Sequence, residues 1–201
     1  MKNICINKSN SKEEVIFIGG NKVDINFPAV WWPKRKTEKA GYTVIKSISL
    51  VDGFQDTGFN NEREILESLI KSGPKHLVGY CAGGVLALDY IDHKNVKSVT
   101  AYDAPSGITV QGDNLQIEEP LDYENVFLIY ADSIDDEYRF SGNYYTIEIN
   151  GADHEFSDRE DQLAEAVVNS LDYHTGKSNF EEISQNLSKF SSAYICKNTR
   201  L

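Results

Sequence analysis

The stretch that decides the fold is His76-Leu77-Val78-Gly79-Tyr80-Cys81-Ala82-Gly83-Gly84. Its first residues form an apolar strand pattern that ends in Gly-x-Cys-x-Gly, and residues 85–90, which follow it, favour a helix. A nucleophilic side chain between two such glycines is typical of a nucleophile elbow, a strained strand-to-helix turn that lifts the central residue clear of the sheet. The helix N-terminus behind the turn carries a positive partial charge that favours a thiolate. The pattern therefore indicates Cys81 as a candidate nucleophile.

A second interpretation of this stretch is purely structural. Cysteine is one of the most often buried residue types, and a buried cysteine in a glycine-rich turn between a strand and a helix fits many α/β proteins. Short motifs also match by chance. The choice between a reactive and a buried Cys81 therefore depends on the rest of the chain.

The composition is that of a globular protein, with 201 residues of which 40% are hydrophobic and 25% are charged. This length suits a single domain over residues 1–201, with a core at about 14–171 and a C-terminal helix or tail over 175–201. The formal net charge of -11 disfavours a phosphate-binding surface, so we expect no nucleic-acid partner. No sequence feature indicates an oligomeric state.

The cysteines and the apolar segments bear on the compartment. Cys5, Cys81 and Cys196 are an odd number without the spacing of a disulfide framework, which favours free thiols in the reducing cytoplasm. Residues 1–8 lack the continuous apolar core of a signal peptide. No stretch approaches the roughly 18 to 20 apolar residues of a membrane span, so we expect a soluble cytoplasmic protein.

Short strand patterns alternate with helical patterns along the chain. Besides the strand before Cys81, strands are expected at residues 14–18, 41–45, 96–102, 126–130 and 144–149. Helices are expected at about residues 33–40, 61–71, 82–92 and 159–171, with an amphipathic helix over 180–190. This alternation predicts an α/β fold, a three-layer sandwich with a mostly parallel central sheet and helices on both faces.

Three loops of this predicted sheet carry reactive side chains. Cys81 follows one strand, an acidic cluster with Asp132 and Asp135 follows a later strand, and His154 follows the last. Because the carboxyl ends of parallel strands meet at one edge of a sheet, these loops are expected to lie together. His154 would take the proton of Cys81 and return it to a leaving group, while a carboxylate orients the imidazole.

An oxyanion hole can be placed from the same topology. The backbone N–H of Ala82, directly after the nucleophile, is one expected donor. The second is expected from the loop after the first strand, at Gly20 or Asn21. Two such donors are usually the largest electrostatic contribution to acyl transfer.

Four segments in the same order resemble the α/β-hydrolase superfamily across most of residues 14–171. Gly19-Gly20 is similar to its oxyanion loop, and Gly41-Tyr42-x-Val44 to its entry into the next strand. Residues 79–84 resemble the elbow of the dienelactone hydrolase branch, which uses a Cys-His-Asp triad, and Gly151-Ala152-Asp153-His154-x-Phe156 resembles the histidine segment. The resemblance implies a hydrolase for a small-molecule acyl ester, thioester or lactone, with a covalent acyl-enzyme and no cofactor.

The chain departs from the family pattern at the acid. The family's acid lies three residues beyond a glycine at the strand end, and Ala131 occupies that glycine's place. Asp132 lies nearest the strand, whereas Asp135 fits the spacing with one inserted residue, and Asp136 is a weaker choice. Both Asp132 and Asp135 therefore remain candidates. No insertion is long enough for a large lid, so an open site is expected.

Other residues and functions complete the set of hypotheses. Tyr80 and Trp31 are candidate substrate-binding residues, although Trp31 and Trp32 also suit a core. No His/Cys/Asp spacing predicts a metal site, and no phosphate-binding Gly-rich loop is present. One alternative is a class I glutamine amidotransferase-like cysteine hydrolase, although that family has His-Pro-Glu where this chain has His154-Glu155-Phe156. Another is a non-catalytic binding protein of the same fold.

Overall fold

A computed structural model of the chain describes residues 13–21, 23–24, 26–50, 59–106, 117, 119–190 and 193–200. The strands are β1 Glu14–Asn21, β2 Thr43–Leu50, β3 Lys75–Tyr80, β4 Val96–Tyr102, β5 Leu121–Ala131, β6 Gly142–Ile149 and β7 Ala193–Arg200. The helices are α1 Pro28–Lys39, α2 Asn60–Lys71, α3 Ala82–Leu88, α4 Glu160–His174 and α5 Phe180–Ser188, with a 3₁₀ turn at Asp136–Tyr138.

The strands form one sheet in the order β2-β1-β3-β4-β5-β6-β7. Every neighbouring pair is parallel except β6 and β7, which are antiparallel. Side chains of α2 and α3 pack in the hydrophobic cluster on one face, and those of α1, α4 and α5 pack in the cluster on the other. The predicted three-layer sandwich with a mostly parallel sheet is therefore confirmed.

The alternation of side chains along β1 explains why the sheet is covered on both faces. Val15 and Phe17 belong to the cluster with α1 and α4, whereas Ile16 and Ile18 belong to the cluster with α3. All four are fully buried. A continuous apolar run is what a central parallel strand needs, since both of its faces are inside.

Two elements differ from the sequence predictions. Helix α1 begins at Pro28 rather than near Pro33, because Pro28 occupies the first helical position, where its missing N–H is not needed. Pro33 lies inside this helix and is buried, so its loss of one backbone hydrogen bond is offset by packing. The segment after α5, expected to be a helix or tail, ends in β7, which pairs with β6 at the edge of the sheet.

Helix α3 lies unusually close to the sheet because its contact face carries glycines. A Cβ atom on Gly79 would be 2.3 Å from the carbonyl oxygen of Gly83. A Cβ atom on Gly83 would be 2.3 Å from the carbonyl oxygen of Gly19 and 2.5 Å from that of Ile18. These are backbone atoms, which cannot move aside to relieve a clash as a flexible side chain can. Glycine is therefore required where α3 crosses β1 and β3.

We predict that Gly83→Ala lowers the free energy of unfolding by about 3 kcal/mol, because the added methyl group separates α3 from β1. Gly176→Ala is a suitable control, since Gly176 has open space around its Cβ position but a φ of +70°. Its cost should be only about 1 kcal/mol, from the left-handed backbone. Urea unfolding of the two variants measures the difference, and equal losses would contradict the packing argument.

Candidate active site

Cys81 lies at the junction of β3 and α3 in a strained conformation. Its φ is 52° and its ψ is -122°, which non-glycine residues rarely adopt. The Cys81 N–H donates to the Tyr102 carbonyl at 2.9 Å, and its own carbonyl accepts from Gly84 N–H at 2.9 Å. These bonds fix the turn from both sides, and the Cys81 thiol is free and partly exposed.

His154 lies in the loop between β6 and α4, beside Cys81. Its Nδ1 is 2.6 Å from Oδ2 of Asp103, and 47% of its side chain is exposed. The hydrogen bond with Asp103 and, next, the hydrogen bond with the Cys81 thiol group raise the pKa of His154 to about 10. The imidazole is therefore protonated at neutral pH, with hydrogen bonds to the Asp103 carboxylate and the Cys81 thiol group.

Asp103 directly follows β4 and is fully buried. Its Oδ1 accepts the Ala131 N–H at 2.9 Å, which leaves Oδ2 for His154. Its backbone is left-handed, with φ 49°, and its N–H donates to the Ile129 carbonyl at 2.8 Å. Both carboxylate oxygens are thus held in place by hydrogen bonds, as a buried charge requires.

The structure differs here from the sequence expectation, which placed the acid after β5. Asp132 is exposed, and its carboxylate accepts the Gly151 N–H at 2.5 Å, at the start of the loop that carries His154. Asp135 precedes the 3₁₀ turn, and in the described part of the chain no hydrogen bond joins it to His154. The physical reason is adjacency, because β4 lies directly beside β3 and ends level with Cys81.

A sequence signal for Asp103 was present. It is the first acidic residue after a buried strand, and it lies between Cys81 and His154 in the chain. The family pattern nevertheless favoured the later strand end. The two positions cannot be separated by order alone, because both satisfy nucleophile, acid and histidine.

The expected oxyanion residues lie at the elbow. A Cβ atom on Gly20 would be 3.2 Å from Cβ of Cys81, so the end of β1 faces the thiol. Ala82 is the first residue of α3, where backbone N–H groups have no acceptor within the helix. Asn21 lines the cleft in front of Cys81, and its buried Oδ1 accepts no hydrogen bond within the described ranges.

The cleft beside Cys81 has a volume of about 860 Å³, within the range that holds small-molecule ligands. The residues that line it are Asn21, Val23, Asp24, Asn26, Phe27, Pro28, Tyr80, Cys81, His154 and Glu155. Two of these are acidic, and no lysine or arginine occurs among the described lining residues. The two carboxylates, Asp24 and Glu155, belong to the same lining as the His154 imidazole.

The two aromatic residues expected to bind substrate have different surroundings. Trp31 is 36% exposed, packs edge-on against Trp32 and does not line the cleft. Phe27, one turn earlier, lines it instead, and sequence reasoning missed this residue. Tyr80 forms part of the wall but is only 1% exposed, and its hydroxyl donates to the His154 carbonyl at 2.9 Å.

The described residues contain neither a metal-binding cluster nor a membrane-spanning helix. Among the described residues, no group of three or more His, Cys, Asp and Glu side chains could hold a metal ion. None of the helices in the described ranges has the length and apolar character needed to cross a membrane.

Comparisons with known proteins identify the fold. No protein-family model matches the chain, and no curated protein matches it either. Among solved structures, α/β hydrolase domain-containing protein 10 from mouse is similar, with a TM-score of 0.60 and 14% identity over 83% of this chain and 91% of that one. An α/β serine hydrolase without a lid from Xanthomonas campestris has a TM-score of 0.56 and 14% identity, over 78% of this chain and 80% of that one.

A third similar structure is an α/β serine hydrolase homologue from Coxiella burnetii, with a TM-score of 0.57 and 14% identity. The match covers 80% of this chain and 86% of that chain. At such identities the likeness establishes the fold alone. The chain has a compact α/β-hydrolase fold, as its motifs predict.

We predict that Asp103→Asn lowers the pKa of His154 from about 10 towards the ordinary histidine value, because it removes the carboxylate that stabilises the imidazolium. Asp132→Asn should leave this pKa nearly unchanged, since Asp132 contacts Gly151 instead. Titration of the His154 imidazole by NMR measures both. A larger change of the His154 pKa in Asp132→Asn than in Asp103→Asn would support Asp132, the acid expected from the sequence.

The sign of the stability effect follows from the same shift. A histidine whose pKa is raised on folding stabilises the folded chain fully below about pH 6.5, and this contribution is lost as the pH rises through about 10. Asp103→Asn should therefore reduce stability at neutral pH and below more than it does above pH 10.

Proposed function

We propose that the protein is an acyl hydrolase in which Cys81 is the nucleophile, His154 is the acid and base, and Asp103 orients His154. The observation that carries the proposal is the 2.6 Å contact between His154 Nδ1 and Asp103 Oδ2, together with the hydrogen bond between His154 and Cys81. A strained elbow beneath the cysteine and a cleft in front of it support the same role.

Acylation proceeds from a thiolate and an imidazolium. The Cys81 sulfur attacks the substrate carbonyl carbon, and the carbonyl π electrons move to oxygen to give a tetrahedral oxyanion. Backbone N–H groups at Ala82 and at the end of β1, Gly20 or Asn21, stabilise this charge. The oxyanion then collapses, the bond to the leaving group breaks, and the departing oxygen or sulfur takes the proton from His154.

Deacylation uses the neutral His154 that acylation leaves behind. His154 removes a proton from a water molecule, whose oxygen attacks the carbonyl carbon of the Cys81 thioester. Collapse of the second oxyanion breaks the carbon–sulfur bond and releases the carboxylic acid. Asp103 holds the imidazole in the required orientation throughout. The free thiol that this cycle needs suits the reducing cytoplasm that the cysteine pattern predicts.

The charged side chains that line the cleft favour substrates of a particular charge. Asp24 and Glu155 lie at its wall, no lysine or arginine lies among the described lining residues, and the His154 imidazolium is paired with Asp103. Their field disfavours esters and thioesters that carry phosphate or carboxylate groups and favours uncharged or cationic ones. We therefore propose neutral or cationic small-molecule acyl esters, thioesters or lactones as substrates.

We predict a burst of p-nitrophenol from p-nitrophenyl acetate, followed by slower turnover, because the Cys81 acyl-enzyme accumulates. Intact-protein mass spectrometry of the quenched reaction should show one acetyl group, assigned to Cys81 by peptide mapping. Cys81→Ala should abolish the burst and the adduct, and Cys196→Ala, which removes the exposed thiol on β7, should change neither.

Other outcomes would point to the alternatives. Turnover that survives in Cys81→Ala would refute the cysteine nucleophile. Glutamine hydrolysis without ester turnover would support the amidotransferase-like activity instead. Absence of both activities, together with unselective iodoacetamide labelling of Cys81 and Cys196, would favour a non-catalytic protein.

We predict a substrate preference in the order cationic, neutral, anionic among p-nitrophenyl esters of equal chain length that end in an ammonium, a methyl or a carboxylate group. The differences should shrink with added salt, because exposed charges are screened. Asp24→Asn combined with Glu155→Gln should reduce the preference. Glu64→Gln, on α2 and away from the cleft, is the control. A salt-independent order, or one unchanged in the double variant, would contradict the electrostatic explanation.

A further inference from the structure

We infer that the Tyr80 hydroxyl is a positioning group that fixes the distance between the nucleophile and the base. The inference rests on the proposed function of Cys81 and His154. Tyr80 directly precedes Cys81, and its hydroxyl donates to the backbone carbonyl of His154 at 2.9 Å. Cys81 is therefore linked to the backbone of His154 through Tyr80, by one peptide bond and one hydrogen bond.

Packing around the ring of Tyr80 fixes the direction in which its hydroxyl points. The ring stacks on Tyr102, with 5.3 Å between the ring centroids and an interplanar angle of 22°. It also stacks on Phe27, with 6.1 Å between the centroids and an interplanar angle of 20°. The ring also packs closely against Gly20, since a Cβ atom there would be only 3.1 Å from it. The side chain is 1% exposed. Its position is therefore set by the core.

His154 needs such a contact because its own side chain is not enclosed. Nearly half of the side chain is exposed, and the loop that carries it contains left-handed backbone at Phe156 and Asp158. Asp132 holds the start of the loop through Gly151, and buried Phe156 holds its later part. Between these points, the hydrogen bond from Tyr80 fixes the backbone of His154 itself.

The Tyr80 hydroxyl remains a donor over the working pH range. Burial raises the pKa of Tyr80, and the nearby Cys81 and Asp103 raise it further. A hydroxyl whose hydrogen is directed at a carbonyl cannot also donate to a substrate. This assigns Tyr80 a role different from the substrate binding that its place in the sequence suggested.

Tyr102 offers a matched control for the removal of one hydroxyl. It lies in the same ring stack and is fully buried, but its hydroxyl has no hydrogen-bond partner in the described part of the structure. Tyr102→Phe therefore removes the same atom from the same stack without breaking a contact with His154. Both phenylalanine variants keep the aromatic packing.

We expect Tyr80→Phe to lower kcat for a p-nitrophenyl ester about 10- to 100-fold with little change in KM, since a displacement of the base near 1 Å has effects of that size. The rate of Cys81 alkylation by iodoacetamide should fall at acidic pH, where the reactive thiolate depends on His154, and recover at alkaline pH. Tyr102→Phe should match the wild type in both measurements.

Wild-type kcat and an unchanged alkylation profile in Tyr80→Phe would overturn the inference, as would equal effects in the two variants. The alkylation profile needs no substrate, so a failure of the proposed hydrolase activity is distinguishable from a failure of the Tyr80 role. If Tyr80→Phe does not fold, a fluorotyrosine at position 80 replaces it. Its phenol is more acidic, and kcat should fall as the phenol ionises and stops donating to the His154 carbonyl. A kcat that does not change with this ionisation would equally refute the inference.

Discussion

The close approach of α3 to the sheet is the constraint on which the site depends. Gly79 and Gly83 allow backbone to touch backbone, so the chain must turn from strand to helix within one residue. That residue is Cys81, whose φ and ψ are strained and whose thiol is partly exposed. The same closeness brings the end of β1 next to Cys81, at the place where we propose that an oxyanion binds.

Asp103 is the second feature that joins fold to chemistry. It ends β4, accepts a hydrogen bond from the last residue of β5, and contacts the histidine that follows β6. A charge so deeply buried is stable only because each of its oxygens has a donor. Its electrostatic influence is concentrated on His154, whose pKa rises to about 10. The position of Asp103 in the sheet therefore determines the charge of the His154 imidazole.

The sequence predicts the features that local apolar patterns and glycines determine. It does not predict the features that depend on contacts between residues far apart in the chain. The boundaries of β4 and the elbow at Cys81 agree with expectation because apolar runs and glycines mark them. The choice between Asp103 and Asp132 depends on which strands are neighbours, which order along the chain does not reveal. Strand β7 was missed because an edge strand is paired on one side only, and its exposed Cys196 and Lys197 blur the apolar pattern.

The histidine loop has a consequence for how the protein responds to mild denaturants. Cys81 is anchored in the middle of the sheet, whereas His154 sits on an exposed turn held mainly by Asp132, Asp103, Tyr80 and the ring of Phe156. Segments held by few contacts open at a smaller free-energy cost than the core around them. The turn can therefore detach as a unit while the strands remain paired, and the amide hydrogens around it would exchange with solvent long before those of β3.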